Sequence, residues 1–356
     1  MKIKSISFKW NGINYAIGDK HPVFIIAEAG VNHNGKLELA KKLVTAAKKS
    51  GADAVKFQTF ITEEIAIPKV EKAEYHKRTT PDSLSWFDLL KSEELPKRYH
   101  EELIKLCKKL NIVFFSTPYD FQSVDLLDSL DVPLIKIAST DLTNLPLITH
   151  AAKKGRPLII STGMSTLNEV KEAYKACLKV GNKNIIFLQC TANYPTKVEN
   201  ANLNVMTTLK HELKTPIGYS DHTLDFVAGI SAVARGACVI EKHFTISKKL
   251  PGPDHPMSLE PNELTQYIEY LRMAEKSLGN HKKFITKEEA ENRKKLQKSI
   301  VSNTNIKAGQ ILSKKDIGIK RPATGIQPKY YTKLIGKKAK RDIPINTPIR
   351  FNDMVF

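Results

Sequence analysis

The stretch VFIIAEAGVNHNGKLELAKKLVTAAKKSGADAVKFQTF, residues 23–60, decides the fold. It opens with an apolar run of strand length, VFIIAEAG (23–30), and crosses a short polar segment. It then becomes a helical stretch with Leu39, Leu43, Ala46 and Ala47 on one face, lysines on the other, and Gly51 as its stop. A second apolar run, DAVKFQTF (53–60), follows. Two near-continuously apolar strands joined by an amphipathic helix make a parallel unit covered on its outer face.

The unit recurs along the chain. The further strands are IVFFSTP (112–118), LIKIAST (134–140), PLIISTGM (157–164), NIIFLQCTA (184–192), TPIGYSDHT (215–223) and CVIEKHFT (238–245). Helical stretches such as LNEVKEAYKACLKVG, FVAGISAVARGA and NELTQYIEYLRMAEKSLG lie between them. Eight such units in roughly 260 residues predict an α/β fold, a (β/α)8 TIM barrel. One connection is long: residues 61–96 are polar, but the embedded aromatics Tyr75, His76, Trp86 and Phe87 suit an ordered lid or substrate wall. After Gly279 the composition changes. A charged helical linker (285–297) leads from the barrel domain (1–284) into a small, mostly β domain (298–356), in which NIKAGQILSKKDI and RDIPINTPIRFNDM share a layout.

The 356 residues carry a net charge of +19, unevenly spread. From His281 onward, 19 Lys+Arg face 6 Asp+Glu, a net of +13, which leaves +6 for the rest. A basic tail fits a polyanion partner, or simply lysine-rich solvated surfaces. No zinc-finger spacing, stacking-aromatic set or basic heptad region supports nucleic acid. The four cysteines (107, 177, 190 and 238) lack metal-ligand or redox spacing and sit in apolar runs, as reduced buried thiols do. Nothing approaches the ~18 apolar residues of a membrane span, and no signal peptide is legible at the start. These features predict a cytoplasmic protein without membrane partners.

In a barrel of this kind the chemistry gathers where strands end. Those ends carry Glu28, Asn32 and His33; Lys56 and Gln58; Thr117; Lys136, Ser139 and Asp141; Ser161; Asn193 and Tyr194; Ser220, Asp221 and His222; Glu241, Lys242 and His243. Lys56 and Lys136 supply positive charge, and Thr117, Ser139, Ser161 and Ser220 supply hydroxyls, a set suited to phosphate or carboxylate. His222 and His243 end adjacent strands, so they either share a divalent metal or serve as structural histidines. Glu28 reads as ligand, base, orienting acceptor or structural cap. An interior lysine such as Lys136 also admits a Schiff-base aldolase acting on a keto acid. Met164 and Met257 read as packing residues.

The motifs FIIAEAGVNHNG, ADAVKFQTF, FFSTPYD, IKIAST, IISTGM, CTANYPT, GYSDHT, EKHFT and LPGPDHPMSLEP, in this order, resemble the sialic acid synthase family across essentially the whole chain. IKRPATGI resembles that family's C-terminal antifreeze-like (SAF-type) domain. The resemblance implies condensation of phosphoenolpyruvate with an N-acetylated hexosamine, either N-acetylmannosamine or its 2,4-diacetamido-6-deoxy analogue. The product would be a nine-carbon sialic or legionaminic acid plus phosphate. It assigns the metal to His222 and His243, with Mn2+ favoured and Co2+ or Mg2+ as alternatives. It assigns phosphoenolpyruvate to Lys56, Thr117, Lys136, Ser139, Ser161 and Ser220, and the positioning of water or aldehyde to Glu28. Sugar contacts fall on Gln58, Tyr194 and Asp254. Arg321 would reach the sugar's N-acyl group across a domain-swapped homodimer. Two departures stand out. Asp141 occupies the place of a family glutamate, and Ala192 that of a phosphoenolpyruvate-binding asparagine, a contact then lost or taken over by Asn193.

Overall fold

The computed structural model describes residues 3–72, 77, 80 and 83–356, and the chain divides into two units, Met1–Gly279 and Asn280–Phe356. The first unit opens with a hairpin of β1 (Ile6–Trp10) and β2 (Ile13–Ile17), whose turn residues Asn11 and Gly12 both have positive φ (49° and 82°). Asn-Gly suits such a turn because both of its residues tolerate that region.

Eight parallel strands then close a barrel: β3 (Phe24–Gly30), β4 (Ala54–Thr59), β5 (Val113–Pro118), β6 (Ile135–Ile137), β7 (Leu158–Ser161), β8 (Ile185–Cys190), β9 (Ile217–Asp221) and β10 (Val239–His243). Neighbours in sequence are neighbours in space, and β10 pairs with β3 to seal the ring. Apart from half-buried Gln58 on β4, the strands are buried along their length, which is why they read as near-continuous apolar runs. Helix α1 (Leu37–Lys49) buries Ala40, Leu43, Val44 and Ala47, whereas Leu39 and Ala46 are only half-buried. The buried stripe therefore starts one residue later than the sequence suggests, at i, i+3, i+4 and i+7 from Ala40.

The long connection after β4 carries helices among its described residues. It holds α2 (Thr62–Ile65) and α3 (Trp86–Glu93) before α4 (Lys97–Leu110). Tyr75 and His76 lie outside the described residues. The remaining outer helices run α5 (Phe121–Ser129), α6 (Leu145–Lys153), α7 (Leu167–Lys179), α8 (Val205–Leu213), α9 (Val227–Ala234) and α10 (Pro261–Leu278).

The N-terminal end of the barrel is closed by the hairpin and by α10. Trp10 Nε1 donates to the Ile112 carbonyl (2.9 Å), and Phe8 packs edge-on against Phe24. Arg272 on α10 donates to Asp53 (2.7 Å), Glu275 (2.8 Å) and the Val23 carbonyl (2.6 Å). All four cysteines are free and buried. Among the described residues no helix is long and apolar enough to cross a membrane.

The second unit begins with α11 (Lys287–Leu296), an exposed helix capped by Thr286. It continues as short antiparallel pairs, β11 (Ser299–Ser302) with β12 (Ile317–Lys320) and β13 (Lys338–Ala339) with β14 (Met354–Val355). Its core includes Ile300, Ile306, Leu312, Ile317, Ile343, Ile349 and Met354. The shared layout seen in the sequence is physical. Ile306 and Ile343 exchange backbone hydrogen bonds (2.9 and 2.8 Å), and Asp316 and Asp353 each accept from a backbone N–H three residues earlier.

Candidate active site

Strand alternation decides which side chains enter the barrel mouth. On β10, Glu241 and His243 line the cavity, while Lys242 between them binds Asp221 (3.0 Å). Asp221 also lies outside the cavity lining and is saturated, accepting from Tyr267 Oη (2.8 Å), Thr223 Oγ1 (2.7 Å) and Thr223 N (2.9 Å). Asp221 and Lys242 thus brace the seventh and eighth barrel strands from outside, and their neighbours Ser220, His222, Glu241 and His243 are left to face inward.

The cavity measures about 760 Å³. Its walls bring together Glu28, Lys56, Gln58, Thr117, Lys136, Ser139, Asp141, Ser161, Asn193, Tyr194, Ser220, His222, His243 and Asp254. Arg321 belongs to the second unit, where its Nε donates to the Leu296 carbonyl (2.8 Å). Asn32 and His33 do not line the cavity. The Asn32 amide ties Phe244 and Ser258 together, and His33 Nδ1 accepts from Gly35 N. Met164 is 68% exposed at the cavity rim with φ 59°, so the expectation of a packing role is overturned for it.

Two lysines and two glutamates form the floor. Lys56 Nζ sits 2.7 Å from Glu28 Oε2, donates to Thr117 Oγ1 (2.9 Å) and lies 3.7 Å from Glu241 Oε2. Lys136 Nζ donates to Ser161 Oγ (2.7 Å) and lies 3.9 Å from Glu241 Oε1, which accepts from Ser220 Oγ (3.0 Å). Burial lifts Glu28 to about 7 against the pull of Lys56, with Glu241 adding to the rise. Burial also pushes Glu241 upward, but Lys136 and Lys56 outweigh it and hold that carboxyl below its usual range. The floor therefore gains net positive charge as Glu28 takes up a proton, an environment made for an anion. Sequence reading placed Glu241 at a strand end but gave it no role. Cys190, read as a core thiol, lines the same cavity 3.8 Å from His222 Nδ1.

His222, His243 and Tyr194 cluster above this floor. Ring centroids lie 5.5 Å apart for the two histidines and 4.2 Å apart for Tyr194 and His222. His222 Nδ1 is 3.0 Å from the Thr191 carbonyl; a carbonyl only accepts, so Nδ1 carries a proton, and in the neutral ring Nε2 keeps its lone pair. Burial opposes a second proton on this ring, but Cys190 outweighs it and raises the ring above its usual range. Burial, with His222 adding to it, drives His243 well below the usual imidazole range, and its Nδ1 has no hydrogen-bond partner among the described residues. Orienting one nitrogen through a backbone carbonyl and leaving the other as an acceptor is how metal-binding histidines are prepared. His222 is prepared in this way and His243 Nδ1 has no partner, so the pair fits a divalent cation completed by substrate or water oxygens. No cluster of three or more His, Cys, Asp or Glu side chains able to hold a metal occurs among the described residues.

Asp141 is held by Thr140 Oγ1 (3.1 Å) and Asn144 Nδ2 (3.2 Å). On the opposite wall Glu64, Ile65, Ala66, Val70, Trp86, Leu90 and Glu93 complete the cavity. That wall rests on Gly35, where an added Cβ would lie only 2.4 Å from the Ser92 carbonyl.

Comparison with known proteins agrees with this geometry. The NeuB family matches residues 43–283, and the SAF domain matches residues 297–355. The chain is 44% identical to the N,N'-diacetyllegionaminic acid synthase of Legionella pneumophila, over 96% of this chain and 97% of that one. It is 36% identical to the mouse N-acetylneuraminate-9-phosphate synthase over 90% of each. The crystal structure of the N-acetylneuraminic acid synthetase of Leptospira borgpetersenii superposes with a TM-score of 0.70 at 34% identity, covering 82% of this chain and 96% of that one. With the fold, the cavity and two full-length likenesses in agreement, the chain belongs to the NeuB family of sialic acid synthases, with a C-terminal SAF domain.

Proposed function

We propose that the chain joins phosphoenolpyruvate to the open-chain aldehyde of an N-acetylated hexosamine, releasing phosphate and a nine-carbon nonulosonic acid. The observation that carries this reading is one cavity holding two buried lysines rimmed by hydroxyls beside two acceptor imidazoles. Carbon 3 of phosphoenolpyruvate forms the new bond to the aldehyde carbon, whose oxygen ends as a hydroxyl. Carbon 2, left as an oxocarbenium, takes the oxygen of water, and phosphate departs from the resulting tetrahedral centre. Lys56 and Lys136 offset the charge of phosphate and carboxylate, and Thr117, Ser139, Ser161 and Ser220 donate to their oxygens. Glu28, poised by burial near neutrality and hydrogen-bonded to Gln58 (3.5 Å), is the group that orients water or aldehyde and holds a proton at its carboxyl. Asp141 and Asn193 line the same space, and Tyr194 and Asp254 bound the sugar.

His222 and His243 would hold a divalent cation, Mn2+ ahead of Co2+ or Mg2+ on donor type, and it would supply Lewis-acid polarisation of the aldehyde oxygen. In this reading the barrel domain (1–284) works in the cytoplasm as part of a homodimer. Arg321 of one copy serves the sugar of the other, a role supported by the family resemblance.

Phosphate release from phosphoenolpyruvate in the presence of Mn2+ tests the reading. Release should require an N-acetylated hexosamine and cease with EDTA. Release without sugar, or borohydride trapping of a keto substrate on Lys136, overturns it in favour of other chemistry.

A further inference from the structure

We infer that the loops after β3 and β10 are locked together by a clasp, Asn34–His255–Thr245 with Asn32 beside it, that holds Asp254 in the mouth. Asn32, Asn34 and His255 are then positioning residues, acting on the sugar only through Asp254. The inference rests on the condensation proposed above, in which Asp254 bounds the sugar.

Asp254 reaches the cavity from the segment between β10 and α10, not from a strand, so its place depends on what holds that segment. The place is a demanding one. Asp254 is 7% exposed, and its Oδ2 lies 3.6 Å from His243 Nδ1. The same oxygen converges with Glu28 and Gln58 around Gly30. A Cβ added to that glycine would lie 3.6 Å from Asp254 Oδ2, 3.3 Å from Glu28 Oε1 and 3.4 Å from Gln58 Nε2. A carboxyl group set beside a second one in a buried site is not held there by its own charge, so the backbone must hold it.

The clasp supplies that hold. Asn34 Nδ2 donates to the Pro251 carbonyl (2.7 Å), which leaves Oδ1 to accept from His255 Nε2 (3.0 Å). With a proton on Nε2, the neutral ring accepts at Nδ1 from Thr245 Oγ1 (2.6 Å). His255 is fully buried and follows Asp254 directly in the chain. Asn32 Nδ2 donates to the Phe244 carbonyl (2.9 Å) and to Ser258 Oγ (2.9 Å), and that hydroxyl donates to the Asp254 carbonyl (2.6 Å). Asp254 is thereby fastened from both sides, at Pro251 before it and at His255 and Ser258 after it. Two asparagines at the first barrel strand's end, neither of them in the cavity, thus act on it at a distance.

The test is steady-state phosphate release with Mn2+, using whichever of N-acetylmannosamine and its 2,4-diacetamido-6-deoxy analogue reacts faster. Asn34 has φ 48°, so Asn34→Gly keeps the backbone and deletes the amide. It should raise KM for the sugar about tenfold, the scale of one or two lost hydrogen bonds, while KM for phosphoenolpyruvate and kcat move less than about threefold. Thr245→Val, which keeps the shape and loses the donor, should raise the sugar KM about threefold or more and serves if Asn34→Gly does not fold. His255→Leu should match Asn34→Gly, and His255→Gln, whose amide still donates to Asn34, should recover part of the loss. The deciding measurement places Asn34→Gly on an Asp254→Asn background, where it should add less than about twofold because the clasp acts through that carboxylate. A sugar KM unmoved in Asn34→Gly and Thr245→Val, an equal rise for both substrates, or a further rise of about tenfold on the Asp254→Asn background overturns the inference and leaves the condensation standing. Release from neither sugar overturns both.

Discussion

The two ends of the barrel are made by the same eight strands but handle charge in opposite ways. At the closed end Asp53 accepts from Ile25 N and Arg272, and Arg272 also donates to Glu275 and the Val23 carbonyl. At the mouth, groups keep spare capacity: His243 Nδ1 and Glu241 Oε2 lack hydrogen bonds among the described residues, and Glu28 hovers near neutrality. Mutually paired polar groups at the closed end hold the barrel together. Partly paired ones at the mouth are a standing cost to stability that a ligand relieves.

That contrast can be broken from either side. His222→Ala at the mouth should lower turnover about a thousandfold or more and abolish Mn2+ binding by calorimetry if His222 and His243 are the proposed protein ligands. Its melting temperature should stay close to wild type; a variant of full activity would end the metal assignment. Trp10→Ala at the closed end should do the reverse. It removes a buried indole and its bond to Ile112, costing about 3–5 kcal/mol of stability in urea unfolding, while kcat of the folded protein stays within about twofold. A large loss of kcat there would show that the closed end is coupled to the chemistry.

A smaller effect tests the buried histidines that frame the mouth. His100, bonded to Thr59 (2.8 Å), is held by burial at about 4. Above the ordinary value of about 6.5 it is neutral in both the folded and unfolded chains. Between there and about 4 the unfolded chain takes up the proton and the folded one does not, so stability falls as pH falls. Glu28, raised to about 7, acts in the opposite sense, so the informative quantity is the difference between wild type and His100→Gln. From pH 7 to pH 5 wild type should lose about 2 kcal/mol more than the variant. Equal losses would mean that His100 titrates freely. The smallest effect is expected on the outer surface, where Lys171→Ala, breaking its 2.6 Å pair with Glu212, should shift stability by less than about 0.5 kcal/mol.

The barrel was legible because parallel strands buried on both sides must be apolar, and polar residues such as Lys56 or Ser220 interrupt that rule only where strands open on a site. The hairpin escaped notice although its signal, Asn11-Gly12 between the alternating ISFKW and INYAI, was present; the apolar runs downstream drew the reading away from it. Glu241 was hidden by its setting. A carboxylate inside an apolar strand gains meaning only when β4 and β6 bring Lys56 and Lys136 alongside it. Glu93 was less accessible still, since its burial depends on a helix within a connection read as a loop, packed through Ser92 against Gly35, 57 positions earlier in the chain.

Gly35 also bears on how such an enzyme can change. The glycine sets how deeply the α3 wall sits without touching any group assigned to the chemistry. A side chain there would push the wall outward, altering which sugars fit and leaving the lysines and histidines in place. Substrate range can then drift by single substitutions on one side of the mouth while the reaction on the other is conserved. Relatives that share the barrel and its motifs can by that route come to make different nonulosonic acids.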